Sequence, residues 1–286
     1  MTRSRTQAPG LDRRRLLAGG LVGGAAGAVG PLLLPGAARA AGARPRLLVF
    51  TRTTGFRHSS IPVAIATISR LGDAHGFDVV ATEDPERFST TGLARHDAVA
   101  FVNTTGDVLD ARQRRALEAF VTGGGGWAGV HSAADSEYTS AFHTRLLAGG
   151  RFLCHPLEQP GVVVREAASH RSTSHLPARW LIPVEEFYSF TSSVRGRSRV
   201  LLSIDESTYL QDPNTSDLPS GPALPEGRVS GVMGDHPMSW QHRVGRGLSW
   251  YTALGHEVTM YLDPLFRRHL LGGLRTVLAH GRVHRR

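Results

Sequence analysis

"GGGGWAGVHSAAD", residues 123–135, is the stretch on which the fold turns. "GWAGVH", residues 126–131, is short and built from apolar or small residues as far as Val130, the pattern of a strand buried on both faces. It then turns sharply into what reads as a helix. Such strand-to-helix turns lift one side chain above the edge of a sheet, and α/β enzymes use them to mount a nucleophile. The residue at this tip is His131, where a serine or cysteine is expected. Gly123–Gly126 itself reads as a helix-ending turn. It lacks the Lys and Ser/Thr that would make it a phosphate cradle.

Working outward, "RLLVFT" (46–51), "FDVVAT" (77–82) and "HDAVAFVN" (96–103) read as three further strands. Between them, "SIPVAIATISRLGDAHG" (60–76) reads as a helix with Pro62 in its first turn and Gly76 as its stop. "DARQRRALEAFVTGG" (110–124) reads as a helix with Leu117, Phe120 and Val121 on one face. Strand–helix alternation of this kind predicts a flavodoxin-like, doubly wound, mostly parallel sheet with its functional groups at the carboxyl ends of the strands. After Gly150 come additional β-rich segments, "GVVVREA", "RVLLSID", "RVSGVMG" and "GLSWYTALG". A polar, Pro-rich surface loop (211–227) and a closing helix (263–280) complete the chain, with no sign of a second domain.

Residues 1–40 read differently. Arg13-Arg14-Arg15, a Gly-rich and weakly apolar run, and the small-residue site Ala38-Arg39-Ala40 predict a twin-arginine signal peptide and export of a folded protein. The run is too rich in glycine for a spanning helix. The remaining chain, a domain over 41–281 with a basic tail at 282–286, carries 27 basic and 23 acidic residues, or +4. Apart from Arg112, Arg114 and Arg115 on one helix, no basic cluster marks a nucleic-acid surface, so no nucleic-acid partner is expected. The single Cys154 allows no internal disulfide.

Polar residues gather at the predicted strand ends. They are His58 in "RTTGFRHSS", the "NTTGD" segment at 103–107, His131, His155 in "FLCHP", Glu186 and Tyr188 in "EEFYSF", His236 in "GDHPMSW", and His256 in "GLSWYTALGHE". His242, His269, His280 and His284 are expected on the surface.

Six of these segments, in order, resemble the ThuA-like proteins of the secreted branch sometimes labelled glycosyl hydrolase: "LLVFTRTTGFRHSSIP", "TTGDVLD", "GGGGWAGVHSAADSEY", "EEFYSF", "DHPMSW" and "GRGLSWYTALGHE…DPLFRRHLLGGLR". The resemblance runs from about residue 46 to 279. It implies the fold of class I glutamine amidotransferases and a role in trehalose or related disaccharide use, including oxidised (keto) sugars. By the same resemblance His131 takes the nucleophile's place and His256 that of the base, while Val258 stands where the base's orienting glutamate would be. Amidotransferase chemistry is thereby excluded, because imidazole is a poor substitute for a thiolate in transferring an amide nitrogen.

Three readings remain open. In the first, His58, His131, Glu186 and His256 converge as a metal site for a divalent ion such as Zn²⁺, which activates water or polarises a carbonyl. In the second, His131 and His256 act with Glu186, Asp135 or Glu137 as acid and base on a glycoside. His58, Asp135, Tyr188, His236, Trp240 and Tyr251 then bind the sugar. Ser132, one residue past the tip, is a weaker nucleophile. In the third, the chain is a non-catalytic carbohydrate-binding or partner protein on a degenerate scaffold.

Overall fold

A computed structural model describes residues 43–211 and 231–284. The predicted leader and residues 212–227 of the predicted loop lie outside the described residues. Five parallel strands form the first half of a nine-stranded sheet: β1 (Arg46–Phe50), β2 (Asp78–Thr82), β3 (Ala98–Val102), β4 (Gly126–Val130) and β11 (Gly247–Thr252). Their order, β2-β1-β3-β4-β11, is the flavodoxin-like order, and it places the carboxyl ends of β1, β4 and β11 along one edge. The sheet continues as β10 (Pro237–Val244), β9 (Arg199–Ile204), β6 (Gln159–Arg165) and β7 (Arg179–Glu185), each antiparallel to its neighbour. A separate two-stranded ribbon pairs β5 (Phe152–Cys154) with β8 (Ser189–Phe190).

Helix α1 (Ile61–His75) is closed by Gly76 in the left-handed region, at φ 77°, as its glycine predicts. Short α2 (Thr90–Leu93) precedes β3. Helix α3 (Ala111–Thr122) starts with a capping box in which the Asp110 side chain accepts from the Gln113 N–H and the Gln113 side chain accepts from Asp110 N–H. It buries Leu117, Phe120 and Val121, the face read from their spacing. Short α4 (Ala141–Leu146) follows, and α5 (Pro264–His284) lays Phe266, Leu270, Leu274, Val277 and Leu278 against β11, β4 and β3. No helix among the described residues is long and apolar enough to cross a membrane.

Several expectations are corrected. The last helix runs to His284, through the start of the predicted basic tail. "RVSGVMG" forms no strand over 231–234. Strands β7 and β10 are additions, and β7 tolerates Pro183 because it is the sheet's edge strand, where a missing N–H breaks no ladder. His269, expected on the surface, is fully buried: its Nδ1 donates to the Ser172 carbonyl and its Nε2 lies 3.1 Å from Thr252 Oγ1.

Helix α5 comes so close to the sheet that a Cβ on Gly281 would lie 1.8 Å from the Asp97 carbonyl oxygen. That carbonyl also accepts from Gly126 N–H at the start of β4, so it cannot yield. Gly281→Val is expected to lower unfolding free energy by about 3 kcal/mol, read as a shifted denaturation midpoint.

Candidate metal-binding site

The tip of the turn is where the sequence placed it, and its backbone is strained. His131 has φ 50°, a left-handed conformation unusual for any residue but glycine. It begins the short 3₁₀ turn His131–Asp135. Three contacts hold it there. The Tyr251 hydroxyl donates to the His131 carbonyl at 2.8 Å, the Ser136 hydroxyl donates to the Ser132 carbonyl, and His131 Nδ1 donates to the Ala253 carbonyl at 2.8 Å. The last bond fixes the tautomer, leaving Nε2 with a lone pair facing away from the sheet.

Three other segments converge on that nitrogen. His58 comes from the β1–α1 connection, its ring centroid 4.9 Å from that of His131. His256 follows β11, with Nδ1 3.2 Å from His131 Nε2. Glu186 follows β7, with Oε2 2.9 Å from His256 Nδ1 and 3.4 Å from His131 Nε2. One potential donor atom from each of the four residues lies within 4.8 Å of every other. His58, His131 and Glu186 are buried and His256 is half-buried.

Burial and mutual repulsion set the charges. Desolvation, reinforced by His131 and His256, drives His58 down to about 2, and desolvation likewise lowers His131. Burial also opposes charge on His256, but the Glu186 hydrogen bond and the charges of Glu186, Glu185 and Glu158 raise it to about 9. Glu186, which burial alone would raise, is held well below the usual carboxylate range by its imidazole neighbours, with His256 Nδ1 donating to it at 2.9 Å. Two imidazoles are therefore neutral and one carboxylate ionised, the protonation states in which such side chains coordinate metal, while His256 carries a proton that a bound cation would displace.

The supporting residues are ones that spacing did not identify. Glu185 is fully buried; its Oε1 accepts from the N–H groups of Glu186 and His256 and its Oε2 from that of Gly255. Burial pushes it up to about 8 against those three hydrogen bonds. Val258 leaves His256 without a carboxylate two residues on, yet Glu158 from another segment lies 3.0 Å from its Nε2 and Glu257 lies 3.7 Å from it. The paired glutamates of "EEFYSF" were the available signal: adjacent residues at a strand end point in opposite directions.

Above the cluster a cavity of about 230 Å³ is lined by Phe56, His58, Asp135, Phe152, His155, Glu186 and Tyr188. His58, Asp135, Glu186 and Tyr188 are thus brought together as anticipated. The remaining anticipated sugar contacts lie elsewhere. Trp240 and Tyr251 are fully buried and pack on each other at 4.5 Å, leaving neither face for a ligand. His236 is buried between Glu206 Oε1, 2.9 Å from its Nδ1, and the Tyr188 carbonyl, to which its Nε2 donates. Glu137 is a buried brace, accepting from the N–H groups of Val108 and Leu109 and pairing with Arg114. His155 is in the cavity wall, 3.6 Å from Glu186 Oε1 and stacked on Tyr188.

The fold and this cluster define a flavodoxin-like α/β protein with a histidine at the tip of the turn after its central strand β4. The profile of the ThuA family, described as trehalose utilisation, matches residues 46–276, and the chain belongs to that family. Among solved structures it is similar to a ThuA-like protein from Bacteroides uniformis ATCC 8492, at 25% identity and a TM-score of 0.66, over 84% of this chain and 94% of that one. A ThuA-like protein from Parabacteroides merdae ATCC 43184 shares the fold at 18% identity and a TM-score of 0.61, over 82% and 90%. Cytoplasmic protein STM1381 from Salmonella typhimurium LT2 shares it at 12% and 0.52, over 81% and 99%. No curated protein matches the chain.

Replacing Glu185 by Gln turns one acceptor oxygen into an NH₂ group facing a buried backbone N–H. Glu185→Gln is expected to cost about 1–3 kcal/mol in denaturant unfolding.

Proposed function

We propose that this chain is an exported carbohydrate-active enzyme that cleaves a glycoside or an oxidised (keto) disaccharide at a divalent cation held by His58, His131, Glu186 and His256. The observation that carries the reading is the convergence of three imidazoles and a carboxylate, from four separate segments, beside a cavity whose wall His58 and Glu186 share. Membership of the trehalose-utilisation family supports a sugar substrate, and the twin-arginine-like leader supports export.

The donor set fits a cation such as Zn²⁺. Bonds of about 2.0–2.2 Å at tetrahedral angles put donors about 3.4 Å apart. The three distances among His131 Nε2, His256 Nδ1 and Glu186 Oε2 are 3.4, 3.2 and 2.9 Å. Behind these donors stand a carbonyl on His131 and a carboxylate on His256, the outer partners that orient imidazole ligands. A cation there supplies Lewis acidity toward a sugar hydroxyl or carbonyl oxygen.

The chain's own part is to hold the sugar and move a proton. Asp135 lines the cavity without belonging to the donor set, and burial, opposed by the Tyr138 hydroxyl and the charges of Arg151 and His155, raises it to about 6. A carboxylate titrating there accepts a proton efficiently near neutral pH. His155 Nδ1 donates to the Pro156 carbonyl, which leaves Nε2 as the nitrogen available on the cavity side, near Glu186. Tyr188 and Phe152 supply aromatic wall for the apolar face of a sugar ring.

Elemental analysis of purified protein is expected to give one divalent ion per chain, lost in His131→Ala and in Glu186→Ala. Chelation should lower the melting temperature, since a ligand at about 100 times its Kd stabilises the native state by about 2.7 kcal/mol. Absence of any ion, with no thermal shift on adding Zn²⁺ or Mn²⁺, overturns the metal centre. Incubation with trehalose, other glycosides and their 3-keto forms should release monosaccharide; tight binding without release assigns a binding module instead.

Asp135 acts as its carboxylate, so kcat/KM should be full above about pH 6 and fall tenfold per unit below it. Asp135→Asn should remove at least a hundredfold of activity while metal content stays the same. A profile flat from pH 5 to 7 assigns the proton transfer elsewhere.

A further inference from the structure

The cavity is small for the substrate class just proposed. At about 230 Å³ it falls below the roughly 300–1,000 Å³ of pockets that enclose drug-sized ligands. Space of that size takes one pyranose ring and excludes the second ring of a disaccharide. The second ring must then lie over the rim, and the rim carries an unusual residue. Phe56 lines the cavity and yet is 67% exposed, a large aromatic side chain left in water beside a polar site.

Its exposure is built in by the loop that carries it. Thr53 pairs with Thr105 in a parallel bridge, Thr54 N–H donates to the Thr105 carbonyl at 2.9 Å, and the Thr105 hydroxyl donates to the Phe56 carbonyl at 2.6 Å. The Thr54 hydroxyl adds a bond to the Asp107 carbonyl. Tied on both sides of Gly55, the segment holds the Phe56 backbone at the cavity rim. The ring also meets that of His58 nearly at right angles, with centroids 4.9 Å apart, so it rests on the proposed metal site while most of its surface stays open to solvent.

We infer that Phe56 is the platform of a second sugar subsite, stacking its exposed face on the outer ring of a disaccharide whose inner ring occupies the cavity. This rests on the sugar-cleaving reading above and narrows it: the substrate class is a two-ring glycoside, and a single ring is held as product. The apolar C–H face of a pyranose matches an aromatic face, and a rigidly presented ring loses little entropy on binding.

The test compares two-ring and one-ring ligands of the same inner sugar. Trehalose, maltose, cellobiose and lactose, each against the methyl glycoside of the corresponding ring, are titrated calorimetrically into metal-loaded native protein and into Phe56→Leu and Phe56→Trp. Leu keeps the apolar contact with His58 but removes the aromatic face; Trp restores it. The expected result is that Phe56→Leu weakens the best disaccharide about tenfold and its methyl glycoside less than twofold, with Phe56→Trp recovering most of the loss. Equal weakening of both ligands, or loss of metal from Phe56→Leu, makes Phe56 a support for His58 and overturns the subsite while leaving the sugar reading intact. A disaccharide that binds equally well to native and Leu proteins also overturns it. Failure of all the sugars to bind native protein overturns the subsite together with the function on which it rests.

Discussion

One constrained residue organises the rest of the site. His131 sits in a left-handed backbone conformation that costs of order 1–3 kcal/mol for a residue with a side chain. The fold accepts that cost because β4 is flanked on both sides by parallel neighbours, β3 and β11, and its end is pinned from β11. The Tyr251 hydroxyl takes the His131 carbonyl and the Ala253 carbonyl takes the imidazole Nδ1–H. Both restraints come from one strand and the residue just beyond it, so ring position and tautomer are set together. The other donors are then placed relative to Nε2.

That placement would be unfavourable if every group in it were charged. Three imidazolium rings with centroids about 5 Å apart would repel strongly in a buried setting. Burial resolves the conflict by keeping His58 and His131 neutral, and Glu186 balances the positive charge that remains on His256. Glu185 has the complementary task. Its two oxygens take three backbone N–H groups on either side of the gap between β7 and the loop after β11. It thereby joins the antiparallel half of the sheet to the parallel half at the point where their side chains meet.

How much of this was legible in the sequence depends on which forces fixed each part. The parallel half was readable because buried central strands and amphipathic helices carry strong, short-range patterns: β1, β3 and β4 are found within two residues of their expected bounds. The four cluster residues were all among the polar residues read at predicted strand ends, but they come from positions up to 198 residues apart in the chain, His58 to His256, and no spacing rule links them. The misplaced residues share a cause. Trp240 and Tyr251 are amphipathic aromatics, equally at home in a core or on a sugar, and sequence does not reveal that they occupy registered positions on adjacent strands and stack on each other. His236 and His269 look like any polar histidine until the fold supplies Glu206 for one and the Ser172 carbonyl for the other. Glu185 was hidden by its neighbour, because the choice between two adjacent glutamates is made by which face of β7 is inward.

The antiparallel extension is therefore part of the site. Strands β6, β7, β9 and β10 continue a sheet whose parallel half already has a complete flavodoxin-like order, so they are not required to complete that order. Glu186 and Tyr188, however, lie on the segment from β7 to β8, and His155 and Glu158 lie between β5 and β6. Among the described residues, the acidic groups that touch the imidazoles of His131 and His256 come either from this extension or from Glu257, next to His256 itself. The parallel half alone would present three histidines with a carboxylate only at the outer nitrogen of His256 and none beside His131, a set that offers a cation held between them little charge compensation. Adding the extension brings a negative charge and a roof of aromatic rings to the same edge. A strand-end histidine cluster thus becomes one wall of a cavity that draws its residues from both halves of the sheet.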